Sequence, residues 1–376
     1  MAGHVHPLTG KAQWRLRRMP PAVPSPAYPR GAMSLDEFVQ PTVGEEDQEL
    51  EIGLRPRSFA DFVGQSRVRD NLRVYIEAAR RRGEPLDHLL LSGLPGLGKT
   101  TLAEIVSRAM GAALHTTSGP ALERPGDLAG MLTNLGRGDV LFIDEIHRLP
   151  ASVEEYLYSA MEDFCIDIVL DQGPRGRSVR IKVEPFTLIG ATTREGLLSA
   201  PFRGRFGVLE RLEPYPDADL ERILDRSSGI LGIGLSPEGR TELARHARGT
   251  PRIVNRFLRR VRDLAQVEGC PAIDAALARR GLDMLGVDRS GLLRLDRLVL
   301  ETIAIAGNRP VGLKTLAVSV GEDERTIEDV YEPHLIRSGF LMRTARGRLL
   351  TDPGYRILGL EPPREGPLQA ELFVED

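Results

Sequence analysis

The chain has 376 residues, of which 41% are hydrophobic and 27% are charged, and its formal net charge is −3 at pH 7. These values predict an ordinary globular protein of two or three domains, and they exclude a uniformly basic surface as the means of holding nucleic acid. The two cysteines, Cys165 and Cys270, are too few for a disulfide framework or a thiolate zinc site, which favours the reducing cytoplasm. The sequence contains no apolar run of 18 residues, so it predicts no membrane span.

Residues 1–35 form a basic, proline-rich segment that contains neither Asp nor Glu. Such a composition cannot bury a core, so we expect this segment to be disordered. Two alternatives stay open. An arginine-rich start is also typical of a transit peptide, and Met33 is a second candidate for the start of translation.

Residues 54–65 read LRPRSFADFVGQ, and a helical pattern follows them. Such an apolar and aromatic segment is well placed to cover a nucleotide base, if the domain that follows binds one. Ordinary packing of an N-terminal segment against that domain is the alternative.

Residues 93–101 read GLPGLGKTT, a full match to the G-x-x-x-x-G-K-[ST] phosphate loop. A buried strand at His88–Leu91 precedes the loop, and a helical pattern that stops at Gly111 follows it, which is the context that the motif requires. The glycines let backbone N–H groups close around a polyphosphate, Lys99 adds positive charge, and Thr100 offers its hydroxyl to Mg²⁺. A chance glycine loop is the alternative. The candidate phosphate-binding residues are Gly96, Gly98, Lys99, Thr100 and Thr101.

The next buried run, Asp139–Glu145, is a predicted strand that ends in two carboxylates. Asp144 suits the Mg²⁺ shell, and Glu145 is suited to orienting or deprotonating an attacking water, as phosphoryl transfer requires. An acidic pair on the surface is the alternative. The phosphate loop and this pair together predict a nucleotide hydrolase.

Two strand-like runs, Ile166–Leu170 and Val179–Val183, flank a Gly/Pro turn and predict a β-hairpin after a helix at Val153–Phe164. The hairpin is longer than a connection needs to be, so it is a candidate surface for docking a partner or probing a substrate. A plain surface hairpin is the alternative.

Phe186–Arg194 is a further core strand with hydroxyls at its carboxyl end, where ligands of open α/β sheets bind. The segment Ala200–Gly207 then presents arginines beside the nucleotide fold. One of them is a candidate arginine finger for a neighbouring subunit's γ-phosphate, and a surface salt bridge is the alternative.

Residues 217–285 are predicted to be all-helical, with an apolar stripe that includes Ile253 and Phe257. Arg252 begins this helix and is placed to reach phosphate. Its neighbours Arg256, Arg259 and Arg260 are predicted to form a solvated face.

Three further helices, at Leu292–Ile305, Leu313–Val320 and Glu324–Ile336, are followed by a strand, turn and strand at Phe340–Leu350, which is the winged-helix pattern. The third helix is rich in acid, which would repel phosphates, so the wing is the better candidate for contact with DNA. Arginine contacts to phosphate give affinity without reading sequence. The candidate DNA-binding residues are Arg343, Arg346 and Arg348.

A set of short motifs runs along the chain in a fixed order. They are LRP at 54–56, the phosphate loop, DEIHR at 144–148, MEDF at 161–164, GATTR at 190–194, RGRFG at 203–207, GTPR at 249–252 and RGR at 346–348. By these motifs, residues from about Leu35 to Pro363 resemble the RuvB family of Holliday-junction branch-migration motors. Leu94 departs from the proline usual in that family, and the basic tail before Met33 has no counterpart there.

The resemblance implies an α/β fold with an AAA+ P-loop NTPase core at 36–215, a helical lid at 216–288, a winged-helix DNA-binding domain at 289–363 and a tail at 364–376. The hairpin, at 165–185, is similar to one that docks the partner RuvA. By the same resemblance Thr193 is the sensor-1 residue, Arg205 the trans-acting arginine finger and Arg252 the sensor-2 arginine. The other ATP-binding candidates are Leu54, Arg55, Glu162, Asp163, Phe164 and Tyr215.

The function that the resemblance implies is ATP- and Mg²⁺-dependent branch migration of Holliday junctions in recombination and DNA repair. The protein would act as a homohexameric ring around double-stranded DNA, with a RuvA-like junction-binding protein and a RuvC-like resolvase. An ATP-gated DNA-binding switch of the initiator type is the alternative. A remodeller of proteins, whose winged helix only mediates assembly, is a third reading.

Overall fold

The computed structural model describes residues 53–169 and 178–363. The predictions for the N-terminal tail, for a start at Met33, for the tip of the hairpin and for the last residues lie outside this part of the chain. No helix within the described ranges combines the length and the apolar character needed to cross a membrane.

The first domain is a parallel sheet covered by helices on both faces. Its central strands are buried along their whole apolar length, as strands with helices on both sides must be. A separate apolar core fills each face of the sheet. In chain order the elements are α1 (Ser66–Arg82), β1 (Leu89–Ser92), α2 (Lys99–Met110), β2 (Leu114–Ser118), α3 (Pro125–Thr133), β3 (Val140–Asp144), α4 (Ala151–Glu162), β4 (Cys165–Val169), β5 (Ser178–Lys182), β6 (Thr187–Thr192), α5 (Ala200–Arg203) and β7 (Val208–Arg211).

The strand order of this sheet is β2-β3-β6-β1-β7, and all four pairings are parallel. Strand β6 therefore lies between β1 and β3, with Leu91 beside Ala191 and Ile143 beside Gly190. Because the strands are parallel, their carboxyl ends meet at one edge. The phosphate loop, the acidic pair and the hydroxyl-bearing segment all leave the sheet at that edge.

Strands β4 and β5 form the predicted hairpin as an antiparallel pair outside the main sheet. Cys165 pairs with Lys182, so each strand lies one residue earlier than the sequence pattern indicated. Ile166 and Val183 anchor the base of the hairpin in one of the two cores of the domain.

The second domain is helical, as predicted, with one small two-stranded sheet. Helix α8 carries the main apolar stripe, with Val254, Phe257, Leu258 and Val261 all buried. This stripe packs into the same core as one face of the parallel sheet, so the two domains share a hydrophobic centre. The elements are α6 (Asp217–Leu231), β8 (Gly234–Leu235), α7 (Pro237–His246), α8 (Pro251–Glu268), β9 (Ala272–Ile273) and α9 (Ala275–Met284).

The third domain has the predicted helices and wing around a core of its own. Its third helix is not one regular α-helix, because a π-helical turn at Ile327–Tyr331 interrupts it. Tyr331, on that turn, packs into the core of the first two domains. The elements are α10 (Arg294–Ile305), α11 (Leu313–Val320), α12 (Glu324–Thr326), α13 (Glu332–Arg337), β10 (Leu341–Thr344), β11 (Gly347–Leu350) and α14 (Asp352–Ile357).

A buried ion pair fastens the wing to the third helix. Arg348 on β11 donates from Nε to Glu332 Oε1 at 2.5 Å and from Nη2 to Glu332 Oε2 at 3.2 Å. The Arg348 side chain is 8% exposed and the Glu332 side chain 1%. Arg348 is therefore wrongly predicted as a DNA contact, because its guanidinium is used inside the domain.

Arg348→Ala should destabilise the chain because it leaves the Glu332 carboxylate buried without its partner. Breaking such a pair costs roughly 3–5 kcal/mol. We expect a clearly lower midpoint of urea unfolding. Arg346→Ala removes the same charge from the exposed turn two residues earlier, and should change stability by no more than about 0.5 kcal/mol. Equal small effects of both substitutions would contradict the structural role of Arg348.

Candidate active site

The phosphate loop connects β1 to α2 and depends on glycine at specific positions. Gly98, with a φ of 101°, caps α2 in a conformation that side chains disfavour. A Cβ on Gly96 would lie 2.8 Å from Cγ2 of Thr250 and 3.0 Å from Cβ of Arg252. The second domain therefore packs directly on the loop, and Gly96 makes that approach possible.

Lys99 is the buried cation of this loop. Its Nζ donates to the carbonyl oxygens of Gly93 at 2.8 Å and Leu94 at 2.9 Å. Burial lowers the pKa of Lys99 to about 8, although the charges of Asp144 and Glu145 oppose that shift. A charge held in so dry a place interacts strongly with an anion, since little water screens it.

The acidic pair ends β3, and its second member has an unusual backbone. Glu145 has a φ of 48°, in the left-handed region that non-glycine residues rarely adopt. Gly119 faces this turn, and a Cβ there would lie 2.5 Å from the Glu145 carbonyl oxygen. Arg148 Nη1 donates to Glu145 Oε2 at 2.7 Å. The Glu145 carboxylate is thus held in a defined direction, and such local strain is common where function requires it.

The carboxyl end of β6 brings hydroxyls to the same edge. The buried Thr192 hydroxyl lies 3.0 Å from Nδ1 of His147, which is on the turn after the acidic pair. Thr193, the next residue, lines the cavity described below. Burial lowers the pKa of His147, so this imidazole is favoured in its neutral form.

The segment ahead of α1 closes another side of the site. Arg226 on α6 donates to the carbonyl oxygens of Leu54 at 2.6 Å and Arg55 at 3.3 Å. The Arg55 guanidinium pairs with Glu104 on α2 at 2.7 Å. Tyr215 donates its hydroxyl to the Leu97 carbonyl at 3.2 Å, and burial raises its pKa. These contacts hold the segment at Leu54 and Arg55, the first domain and the second domain together beside the phosphate loop.

These elements enclose a cavity of about 820 Å³. It brings together the phosphate loop, the acidic pair and most of the other residues predicted to bind a nucleotide. The third domain contributes a wall of the cavity that was not predicted, and no signal in the sequence located it. Predicted residues that line the cavity are Leu54, Arg55, Gly96, Gly98, Lys99, Thr100, Thr101, Asp144, Glu145, Thr193, Tyr215 and Arg252, and the third domain adds Arg325, Thr326, Asp329, Val330, Pro333, His334 and Arg337.

The prediction of a solvated arginine face on α8 is wrong for two of its members. Arg256 and Arg259 both line the cavity, and Arg259 is only 5% exposed. Periodicity placed them off the apolar stripe, but that side of the helix faces the cavity.

The cavity is chemically suited to a nucleotide with Mg²⁺. Thr100 and Asp144 both line it and supply the hydroxyl and the carboxylate that the sequence predicts as ligands. Within residues 53–169 and 178–363 no cluster of three His, Cys, Asp or Glu side chains could hold a metal alone. Proteins usually bind Mg²⁺ through a few side chains, and phosphate oxygens and water complete the coordination shell.

A second group of predicted residues lies outside this cavity. The Arg205 guanidinium carbon lies 4.2 Å from the ring centroid of Tyr158, Nη1 donates to the Pro201 carbonyl at 2.8 Å, and Nε lies 3.2 Å from Glu162. Asp163 and Phe164 follow directly in the chain. None of Glu162, Asp163, Phe164 and Arg205 lines the cavity of its own chain.

The wing arginines differ in their surroundings. Arg346 is exposed on the turn, whereas Arg343 is half exposed and pairs with Glu328 of the third helix. The acid of that helix is used inside the molecule, because Glu328 and Asp329 also pair with Arg194 of the first domain. The structure thus adds a reason, beyond charge repulsion, against the helix as a DNA reader.

Three family models match consecutive parts of the chain. They are the RuvB P-loop domain at residues 54–212, the RuvB AAA lid domain at 215–288 and the RuvB C-terminal winged-helix domain at 289–359.

Curated relatives and solved structures agree with these matches. The Holliday junction branch migration complex subunit RuvB of Myxococcus xanthus is 57% identical over 335 residues, which is 89% of this chain and 96% of that protein. The subunit of the same name from Nitratidesulfovibrio vulgaris is 58% identical over 312 residues, or 83% and 98% of the two chains. The solved structure of the Thermotoga maritima RuvB Holliday junction branch migration motor matches with a TM-score of 0.76 at 45% identity, covering 83% of this chain and 100% of that one.

The lowered pKa of Lys99 predicts that polyphosphate binding takes up a proton. Near pH 8 about half of the Lys99 ammonium is deprotonated in the free protein, and a bound polyphosphate raises the pKa again. We expect uptake of about half a proton at pH 8, and an affinity that falls towards about pH 9. Titration calorimetry with a non-hydrolysable ATP analogue, in buffers of different ionisation enthalpy, measures both quantities.

Lys99→Arg is the matched control, because a guanidinium stays charged throughout this range. The variant should bind with almost no proton uptake. Equal uptake by both proteins, or none by the wild type, would contradict the assignment to Lys99.

Proposed function

Since the chain belongs to the RuvB family, we propose that it is the ATP-driven DNA translocase of a complex that moves Holliday junctions in recombination and DNA repair. We propose that it works in the cytoplasm as a homohexameric ring on double-stranded DNA. Its partners would be a RuvA-like junction-binding protein, docked on the hairpin of β4 and β5, and a RuvC-like resolvase. The observation that carries the proposal is the single cavity that collects the phosphate loop, the acidic pair and Thr193 under the second domain.

The reaction proposed for this cavity is transfer of the γ-phosphoryl group of ATP to water. The water oxygen attacks phosphorus, the bond to the ADP oxygen breaks, and Glu145 accepts the water's proton. Lys99 and the backbone N–H groups of the loop hold the phosphates. Thr100 and Asp144 would hold Mg²⁺, whose charge neutralises the phosphate oxygens when it is bound.

Lys99→Ala and Glu145→Gln should fail at different steps. Lys99→Ala removes the buried charge that holds phosphate, so we expect loss of ATP binding. Glu145→Gln keeps the size of the side chain but not its basicity, so we expect binding near that of the wild type and hydrolysis slowed by roughly 10²–10⁴-fold. Calorimetry and phosphate release measure the two steps. Equal loss of ATP binding in both variants would contradict these roles.

Arg205 is proposed to act on the nucleotide held by a neighbouring copy of the chain. Support comes from its place outside its own cavity and from its fixed position against Tyr158 and Pro201. Glu162 forms an ion pair with Arg205, and Asp163 and Phe164 follow Glu162 directly in the chain. These three residues are proposed to face the same neighbouring nucleotide. A guanidinium that reaches a γ-phosphate in trans is worth about 10³–10⁵ in rate where it is used.

Mixing Arg205→Ala subunits with Lys99→Ala subunits tests this arrangement. Each variant alone should be nearly inactive. In a random equal mixture about a quarter of the interfaces pair an intact site with an intact arginine, so turnover should recover towards that fraction. Native mass spectrometry confirms that mixed rings form. Mixed rings no more active than the separate variants would rule out action in trans.

DNA is proposed to be held through phosphates by Arg346 and Arg343 of the wing. Arg346→Ala should weaken binding to two unrelated duplexes by the same factor and flatten the slope of log affinity against log salt by roughly 0.9. Arg356→Ala is the matched control, because it removes an exposed positive charge from α14. It should leave the slope of log affinity against log salt unchanged. A sequence-dependent loss in Arg325→Ala, with an unchanged slope for Arg346→Ala, would instead make the third helix the reader.

The alternative function is an ATP-gated switch of the initiator type, and the third domain's contribution to the cavity wall is the observation that favours it. The effect of DNA on the rate of ATP hydrolysis distinguishes the motor from the switch. A motor should hydrolyse ATP faster when duplex DNA or a four-way junction is added, and faster still with the junction-binding partner. A switch should hold ATP and DNA together with slow turnover that DNA does not accelerate.

A further inference from the structure

Arg194 joins the first domain to the third at the edge of the active site. Its Nε donates to Asp329 Oδ1 at 2.7 Å, and its Nη2 lies 3.0 Å from Glu328 Oε2. The three side chains are partly buried, at 25%, 33% and 23% exposure for Arg194, Asp329 and Glu328. One arginine thus bridges two carboxylates more than 130 residues away in sequence.

The backbone of Arg194 belongs to the catalytic edge of the sheet. Its N–H donates to the Thr192 hydroxyl at 3.0 Å, and that hydroxyl also contacts His147 at 3.0 Å. Between the two anchors stands Thr193, which lines the cavity. The direction of Thr193 is therefore set from both sides, by the turn after the acidic pair and by the third domain.

The carboxylates sit on an irregular part of the third domain. Glu328 and Asp329 belong to the π-helical turn Ile327–Tyr331, and such turns are frequent at functional sites. Asp329 itself lines the cavity. The second oxygen of Glu328 accepts from Arg343 of the wing. One carboxylate is thus shared by the active-site edge and by an arginine that we propose to contact DNA.

We infer that Arg194 is a positioning residue through which the third domain sets the active site of its own subunit. The ion pairs to Glu328 and Asp329 hold the end of β6 so that Thr193 and Glu145 stand ready for hydrolysis. A DNA phosphate that draws Arg343 away leaves Glu328 with Arg194 at 3.0 Å and the more distant Arg348 at 3.9 Å, which strengthens the ion pair to Arg194. The effect on ATP hydrolysis and the link to DNA rest on the proposed function, whereas the effect of the ion pairs on the end of β6 does not.

The test compares Arg194→Ala, the double variant Glu328→Gln/Asp329→Asn, and the combination of all three, without DNA. We expect kcat for ATP to fall by about 5- to 150-fold in each, the range typical of coupling between sites, with KM within about twofold. The combined variant should lose no more kcat than Arg194→Ala or the double carboxylate variant, because each of the three variants removes the same contact. Arg194→Lys, which keeps the charge, should restore part of the loss. Glu322→Gln/Glu324→Gln is the matched control and should match the wild type.

Amide hydrogen exchange of the peptide that spans residues 187–197 gives a readout without turnover. Exchange should quicken in Arg194→Ala and in the double carboxylate variant, and not in the control. If the wild type hydrolyses no ATP, the proposed function fails while exchange still decides the inference. Wild-type kcat in Arg194→Ala, strictly additive losses in the combined variant, or unchanged exchange would each overturn it.

Discussion

The position of β6 between β1 and β3 is the constraint on which the site depends. In a parallel sheet the neighbours of a strand deliver their loops to the same edge, so this order inserts Thr192 and Thr193 between the phosphate loop and the acidic pair. Lys99 and Glu145 then face one cavity from the ends of β1 and β3, the two strands on either side of β6. Both faces of the sheet are packed with apolar side chains, so these groups are held without much freedom to shift.

Around that rigid edge, polar contacts join the domains where they meet the site. Arg226 holds the segment at Leu54, Arg194 reaches the third domain, and Arg248 of the second domain pairs with the fully buried Asp296 of the third. Ion pairs and single hydrogen bonds have alternative partners, whereas a packed core has one arrangement. If the cavity holds ATP as proposed, departure of the γ-phosphate changes the charge in the cavity and can redistribute these contacts while each domain keeps its fold.

The sequence predicted the sheet, the phosphate loop and the acidic pair because buried strands, glycine turns and paired carboxylates leave local patterns. It failed for Arg348, where the answer depended on which face of the wing the third helix covers. Arg343 and Arg348 are cross-strand partners and so project to one face of the wing, which meets the third helix. Glu328 and Glu332, four residues apart, share one face of that helix. The cross-strand pairing of Arg343 with Arg348 and the four-residue spacing of Glu328 and Glu332 are the signal in the sequence that these arginines pair with carboxylates.

Simultaneous recording of phosphate release and of the movement of a fluorescent four-way junction, with the junction-binding partner present, tests the account most directly. If the protein is a motor, the ratio of base pairs moved to ATP consumed should stay constant for the wild type over a range of ATP concentrations. Both signals should vanish together in Glu145→Gln, which still binds ATP. Junction movement that continues in Glu145→Gln, or with a non-hydrolysable analogue, would show that nucleotide binding and not hydrolysis drives the work, and would contradict the assignment as a motor.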